Sequence, residues 1–147
     1  MSDPLYRKEI MRLAADAQGA GKLENADACG VAHNPACGDK VEVQLAYDTG
    51  GCIAAFAHET KACVLTQASA SILGAHLKGA SEDDVKHLLA TVKAMLRDGA
   101  PPPDAPFAVY SDLAGAVSFA ARHRCVLLPI EAVLTAMTSE TPKPGSV

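Results

Sequence analysis

Residues 39–60 read "DKVEVQLAYDTGGCIAAFAHET", and their pattern decides the fold class. Val41, Val43, Leu45 and Tyr47 alternate with Lys40, Glu42, Gln44 and Ala46, the period of two that a strand with one dry and one wet face requires. "DTGG" at 48–51 supplies a turn, and "CIAAFAHET" at 52–60 returns as a second strand, which predicts an antiparallel hairpin. The alanines of the return strand leave its inward face open.

Outside this hairpin the period becomes helical. Upstream, Tyr6, Ile10, Leu13, Ala14 and Ala17 share one face, Gly19 and Gly21 end the run, and Arg7, Lys8 and Arg12 form a solvated basic side. Downstream, "CVLTQASASILGAHLKG" at 63–79 aligns Leu65, Ala68, Ile72 and Ala75. "SEDDVKHLLATVKAMLRDG" at 81–99 is the clearest helix. Ser81 is its N-cap, Glu82, Asp83 and Asp84 suit its positive end, and Val85, Leu88, Leu89, Val92, Met95 and Leu96 make its apolar stripe. "APPPDAP" at 100–106 is a stiff extended connection. A weaker helix is expected through Leu113, Val117 and Ala120. A last one runs through Ile130, Val133, Leu134 and Met137, with Pro129 in its first turn. Helix, antiparallel strands, then helices predicts an α+β fold, a small antiparallel sheet with helices packed against one side. The sheet edge then needs cover, from the chain's own N-terminal segment or from a partner.

The chain has 147 residues, enough for one core, so a single domain is expected over 1–138 with a mobile C-terminal tail over 139–147. A formal charge of -4, three Tyr, three Phe and no Trp, with no basic cluster interleaved with aromatics, argue against nucleic acid as a partner. No apolar run reaches membrane-spanning length, and "MSDPLYRKEI" lacks the apolar centre of a secretory peptide. A soluble, cytoplasmic protein with no membrane partner is expected. In that reducing compartment Cys29, Cys37, Cys52, Cys63 and Cys125 are thiols, ligands or buried small residues rather than disulfides. No nucleophile is paired with a base and no cofactor loop is present, so a free-standing enzyme is not expected.

Cys37 and Asp39 flank Gly38 in a loop entering a strand, and Cys63 opens a helix whose amides favour a thiolate. Cys125 is expected where the basic loop "ARHRC", 121–125, meets the last helix, with Arg122, His123 and Arg124 favouring thiolates nearby. Three thiolates and one carboxylate could hold zinc tetrahedrally or an iron–sulfur cluster; chance placement of three cysteines at element ends is the bland alternative. Cys29 and Cys52, the latter placed in a strand, read as buried thiols. His76 and His87 read as solvated or capping residues, and His123 and His33, the latter four residues before Cys37, as surface histidines or alternate ligands.

Three segments carry a resemblance. "NPACGD" at 34–39, "ACVLTQASASIL" at 62–73 and "FAARHRCVLL" at 119–128 resemble, in order, the three motifs of the U-type iron–sulfur cluster assembly family, which includes IscU, SufU and the N-terminal domain of NifU. Arg124 stands where the IscU type has a histidine before its last cysteine. The long stretch from Lys78 to Phe119 also resembles the SufU type. The sequence departs from the family pattern at Ala62, where glycine is usual, and at His58, where an apolar residue is common. The resemblance implies a scaffold that binds zinc or a nascent cluster on Cys37, Asp39, Cys63 and Cys125. It implies sulfur accepted from a SufS-like cysteine desulfurase, with Cys37 as persulfide acceptor and Arg122 assisting, and delivery to recipient apo-proteins. A zinc-binding activator of a desulfurase without a scaffold role, and a metal-free interaction module, are the alternatives.

Overall fold

The computed structural model describes residues 8–16, 19–34, 38–104, 107–118 and 120–138. Its elements run α1 (Lys8–Asp16), β1 (Ala28–Asn34), β2 (Asp39–Tyr47), β3 (Ile53–Lys61), α2 (Val64–His76), α3 (Glu82–Asp98), a 3-10 segment (Phe107–Ser118) and α4 (Ala120–Thr138). The three strands form one antiparallel sheet in the order β1-β2-β3. Val41, Val43 and Leu45 are buried as the alternation requires, and the helices pack on that face, α4 over β1 and β2 and α2 over β3. This is the expected α+β arrangement.

The hairpin turn is fixed by Asp48. Its carboxylate accepts from the amides of Gly50 (2.9 Å) and Cys52 (3.0 Å), and Gly51 adopts a left-handed φ of 83°. A bulge at Ala46/Tyr47 sets the register of β3, so Phe56, His58 and Thr60 lie opposite Leu45, Val43 and Val41. The inward face that the alanines concealed is therefore the even-numbered one from Phe56 onward. The outer edge of β3 is covered by the chain itself. His58 donates its amide to the Gly19 carbonyl and accepts from the Gly21 amide, both at 2.9 Å.

The first strand, β1, has no counterpart in the sequence reading, because "ACGVAHN" carries small residues where a strand normally shows large apolar ones. The structure gives the reason. Gly30 faces inward, and a Cβ there would lie 2.5 Å from the Ala132 carbonyl oxygen and 2.7 Å from the Ala136 nitrogen of α4. Helix and strand touch backbone to backbone, and no side chain fits between them.

Two expectations about the C-terminal part need correction. The weak helix around Leu113 is a 3-10 segment ending at Ser118, and α4 begins at Ala120, far earlier than expected. Pro129 consequently lies inside α4 rather than in its first turn. Proline has no N–H to give to the carbonyl four residues back, that of Cys125, which loosens the helix there. An outside donor reinforces the neighbouring carbonyl: the Ser69 hydroxyl of α2 donates to the Val126 oxygen at 2.6 Å. Tyr110, fully buried, joins through its hydroxyl 2.8 Å from Ser69 Oγ. Tertiary hydrogen bonds thus carry a helix that local rules would start after the proline.

Helix α3 matches its reading. Ser81 and Asp84 form a reciprocal capping box, Gly99 ends the helix at φ 71°, and Val85, Leu88, Val92, Met95 and Leu96 are buried, each worth about 1.5–3 kcal/mol of transfer free energy.

Gly30→Ala should force α4 off β1 and cost about 1–3 kcal/mol, the range for overpacking a tight contact. Urea unfolding would report it as a lower midpoint, and an unchanged midpoint would mean that the two backbones are not held together.

Candidate metal centre

Asp39 is the first residue of β2. It follows Gly38, whose φ of 73° bends the chain, and it is buried on the same face as Val41 and Val43. Cys63 is the N-cap of α2, with extended backbone (φ -68°, ψ 171°). Gln67, one turn on, braces the approach to it by donating its side-chain amide to the Ala62 carbonyl at 2.9 Å. Cys125 comes from α4 and is fully buried. Three elements distant in sequence thus deliver one carboxylate and two sulfurs.

Their ligand atoms all lie within 4.8 Å of one another. Tetrahedral zinc, with bonds of about 2.0–2.3 Å, needs donors roughly 3.3–3.8 Å apart, so this set would hold a single ion by closing in by up to about 1 Å. The Cys125 thiol donates to Asp39 Oδ2 at 3.4 Å, and the Thr66 hydroxyl donates to the same oxygen at 3.3 Å. Cys63 Sγ stands 3.5 Å from Thr66 Oγ1. The Cys63 thiol is pulled down to about 5, chiefly by a hydrogen bond from Cys125. The hydroxyl and amide of Thr66 help, against burial and the charge of Asp39. In the absence of metal, Cys63 therefore favours its thiolate form.

Sequence reasoning expected the basic run before Cys125 to polarise the sulfurs. That expectation is corrected for Arg124, whose exposed guanidinium lies 4.0 Å from Glu131 and donates at 3.5 Å to the His33 carbonyl. Cys125 itself sits inside α4, in its second turn, rather than at a loop boundary. The reason is the one that places Pro129 in mid-helix. Of the remaining expected site residues, Cys37 and the side chain of Arg122 lie outside the described residues.

The other candidates lie elsewhere. Cys29 is on the opposite face of the sheet, beside Gln44, and Cys52 closes the hairpin turn rather than standing in the strand. Both are free thiols and only half-buried, which corrects their reading as buried. His33 is exposed on that same opposite face. His76 and His87 line a hollow of about 320 Å³ with Lys78, Asp84 and Phe107. It opens at the far end of α2, about 20 Å along the helix from Cys63. His58 is buried, and its Nδ1 pairs with Thr60 Oγ1 at 2.9 Å, which accommodates its polar ring. Thr66 is the site residue that sequence reasoning passed over. Its signal was its place three residues after Cys63, on the same face of a helix.

In metal-free protein, iodoacetamide should alkylate Cys63 at a rate that stays level from pH 9 to 6 and falls as pH drops through about 5. The folded-state value lies below that of an ordinary thiol. The associated stability is therefore complete above the unfolded-state pKa and is lost as pH falls through the folded one. A rate that followed ordinary thiol ionisation, near 8.5, would exclude the thiolate assignment.

The family model described as the NifU-like N terminal domain matches residues 5–124. No curated protein matches the chain. Among solved structures, the chain is similar to the N-terminal part of a NifU-like protein from Brucella abortus. The two are 32% identical, with 92% of this chain and 93% of that one covered and a TM-score of 0.86. It also shares the fold of a protein from Fervidobacterium islandicum AW-1, described as an iron–sulfur cluster assembly scaffold for the SUF system. That pair is 22% identical with a TM-score of 0.82, covering 94% of this chain and 100% of the other. With the family model spanning most of the chain and a third of its residues shared with a NifU-like relative, this protein belongs to the NifU-like N-terminal domain family, the U-type iron–sulfur assembly scaffolds.

Proposed function

We propose that this protein builds a nascent iron–sulfur cluster, or holds zinc in the same place, on Cys37, Asp39, Cys63 and Cys125, with sulfur accepted from a cysteine desulfurase. The observation that carries this reading is the convergence of Asp39, Cys63 and Cys125 within 4.8 Å in a member of a scaffold family. Cys37 enters as the fourth donor from its motif, two residues before Asp39. Iron and sulfide are the cargo here. Thiolates are the soft ligands that retain iron, and the harder carboxylate of Asp39 makes one corner of the site easier to vacate when the cluster leaves for a recipient apo-protein.

Sulfur arrives by exchange. The Cys37 thiolate attacks the terminal sulfur of a persulfide on the desulfurase. A new S–S bond forms on Cys37, the donor's S–S bond breaks, and the desulfurase cysteine leaves as a thiolate, with no net oxidation. Arg122, a few residues before Cys125, assists by docking the desulfurase or steadying the transferred sulfur. Arg124 before the last cysteine and the long segment between the second and third motifs favour a SufU-like member working with a SufS-like partner. The spacing of the three donors suits zinc equally well, so a zinc-binding activator of the desulfurase is the second reading. No described helix is long and apolar enough to cross a membrane.

Elemental analysis of anaerobically purified and reconstituted protein separates these readings. Iron and sulfide in proportion to protein, lost in Cys63 and Cys125 variants, is the expected result. About one zinc per chain without sulfide would select the activator, and no metal at all would leave only an interaction module. Cys37→Ser should abolish sulfur transfer from the desulfurase, and full transfer by that variant would remove Cys37 from its role.

A further inference from the structure

Thr66 is fully buried in the first turn of α2, three residues after Cys63. A helical threonine ordinarily turns its hydroxyl back to the carbonyl four residues earlier. Two threonines here do so: Thr91 donates to the His87 oxygen at 2.8 Å and Thr138 to the Leu134 oxygen at 2.9 Å. Thr66 does not. It stands at the third position of the helix, so the carbonyl four residues back, that of Ala62, lies before the N-cap Cys63 and outside the helical ladder. The Thr66 hydroxyl points into the centre instead, donating to Asp39 Oδ2 at 3.3 Å and lying 3.5 Å from Cys63 Sγ.

We propose that Thr66 is a positioning residue of the centre, whose hydroxyl holds the Asp39 carboxylate in the orientation that lets it share one ion with Cys63 and Cys125. The assignment rests on the metal-binding part of the function proposed above. Among the described residues Asp39 Oδ2 accepts from the Cys125 thiol and the Thr66 hydroxyl. A metal displaces the thiol proton, because a sulfur ligand binds as thiolate. The threonine hydroxyl keeps its proton through loading, so it is a donor that can stay on the carboxylate, with the Cys63 sulfur at 3.5 Å as its other acceptor.

The test is zinc affinity at fixed pH, measured by competition with a chromogenic chelator on the parent, Thr66→Val, Thr66→Ser, Asp39→Ala and the Thr66→Val/Asp39→Ala double variant. Thr66→Val keeps the shape and removes the hydroxyl; it should weaken zinc by about 10–100-fold, the usual cost of losing a hydrogen bond to a ligand. Thr66→Ser should bind within a few-fold of the parent, and Thr66→Val should cost nothing further once Asp39 is alanine. Circular dichroism and melting of the metal-free forms show whether each variant folds, and Thr66→Ala replaces the valine variant should the latter fail to do so. Parent-like affinity without the hydroxyl overturns the assignment, as does an undiminished loss in the Asp39→Ala background or a failure of serine to rescue. A parent that binds neither zinc nor iron overturns the metal-centre reading itself, which is a different result from a parent that binds and a variant that does not care.

Discussion

The contact between α4 and β1 at Gly30 is the constraint on which the rest of the structure depends. With the Ala132 carbonyl 2.5 Å from where a Cβ would stand, the helix lies directly on the backbone of the strand. That depth is what brings Cys125 down to the level of the sheet, where Asp39 begins β2 and Cys63 begins α2. A helix resting on ordinary side chains would ride several ångströms higher, since helices on sheets are normally separated by interdigitating side chains.

A second set of contacts keeps that helix continuous. Pro129 removes a ladder bond one turn after Cys125, and the Ser69–Tyr110 pair answers by bonding the Val126 carbonyl from outside. Ser69 belongs to α2, the same helix that carries Cys63 and Thr66. The two cysteine-bearing helices are therefore tied by a buried polar bond close to the centre. The centre and its supporting frame share one helix pair, so a packing error there would reach the ligands directly.

The chemistry of the site follows from how few protons it can hold. Two sulfurs, a carboxylate and a hydroxyl are packed together, and the one proton of the Cys125 thiol is shared between the Asp39 carboxylate, 3.4 Å away, and the Cys63 sulfur. Cys63 is left ionised, pulled down to about 5. Such a cluster is prepared for a cation, since an arriving metal takes over the role of that proton and satisfies all the donors together.

Much of this was legible in the sequence, for identifiable reasons. The alternation from Val41 to Tyr47, the capping box at Ser81 and the stripe of α3 are local signals, set by backbone period and end effects that need no distant partner. Asp39, Cys63 and Cys125 were legible because three motifs stand in family order, although nothing in their spacing showed that they meet. What stayed hidden was whatever a distant neighbour decides. β1 looked unlike a strand because its inward glycine answers to α4, and α4 looked short because the donors that carry it past Pro129 come from α2 and the 3-10 segment. Thr66 looked like any helical threonine until its hydroxyl was seen to face the Asp39 carboxylate. The sequence by itself determined the fold class, the family and the identity of the chemical groups, because periodicity and motif are properties of short segments. Only the tertiary structure decided which groups touch and how deep the last helix lies, because each of these is a contact between residues that the chain holds far apart.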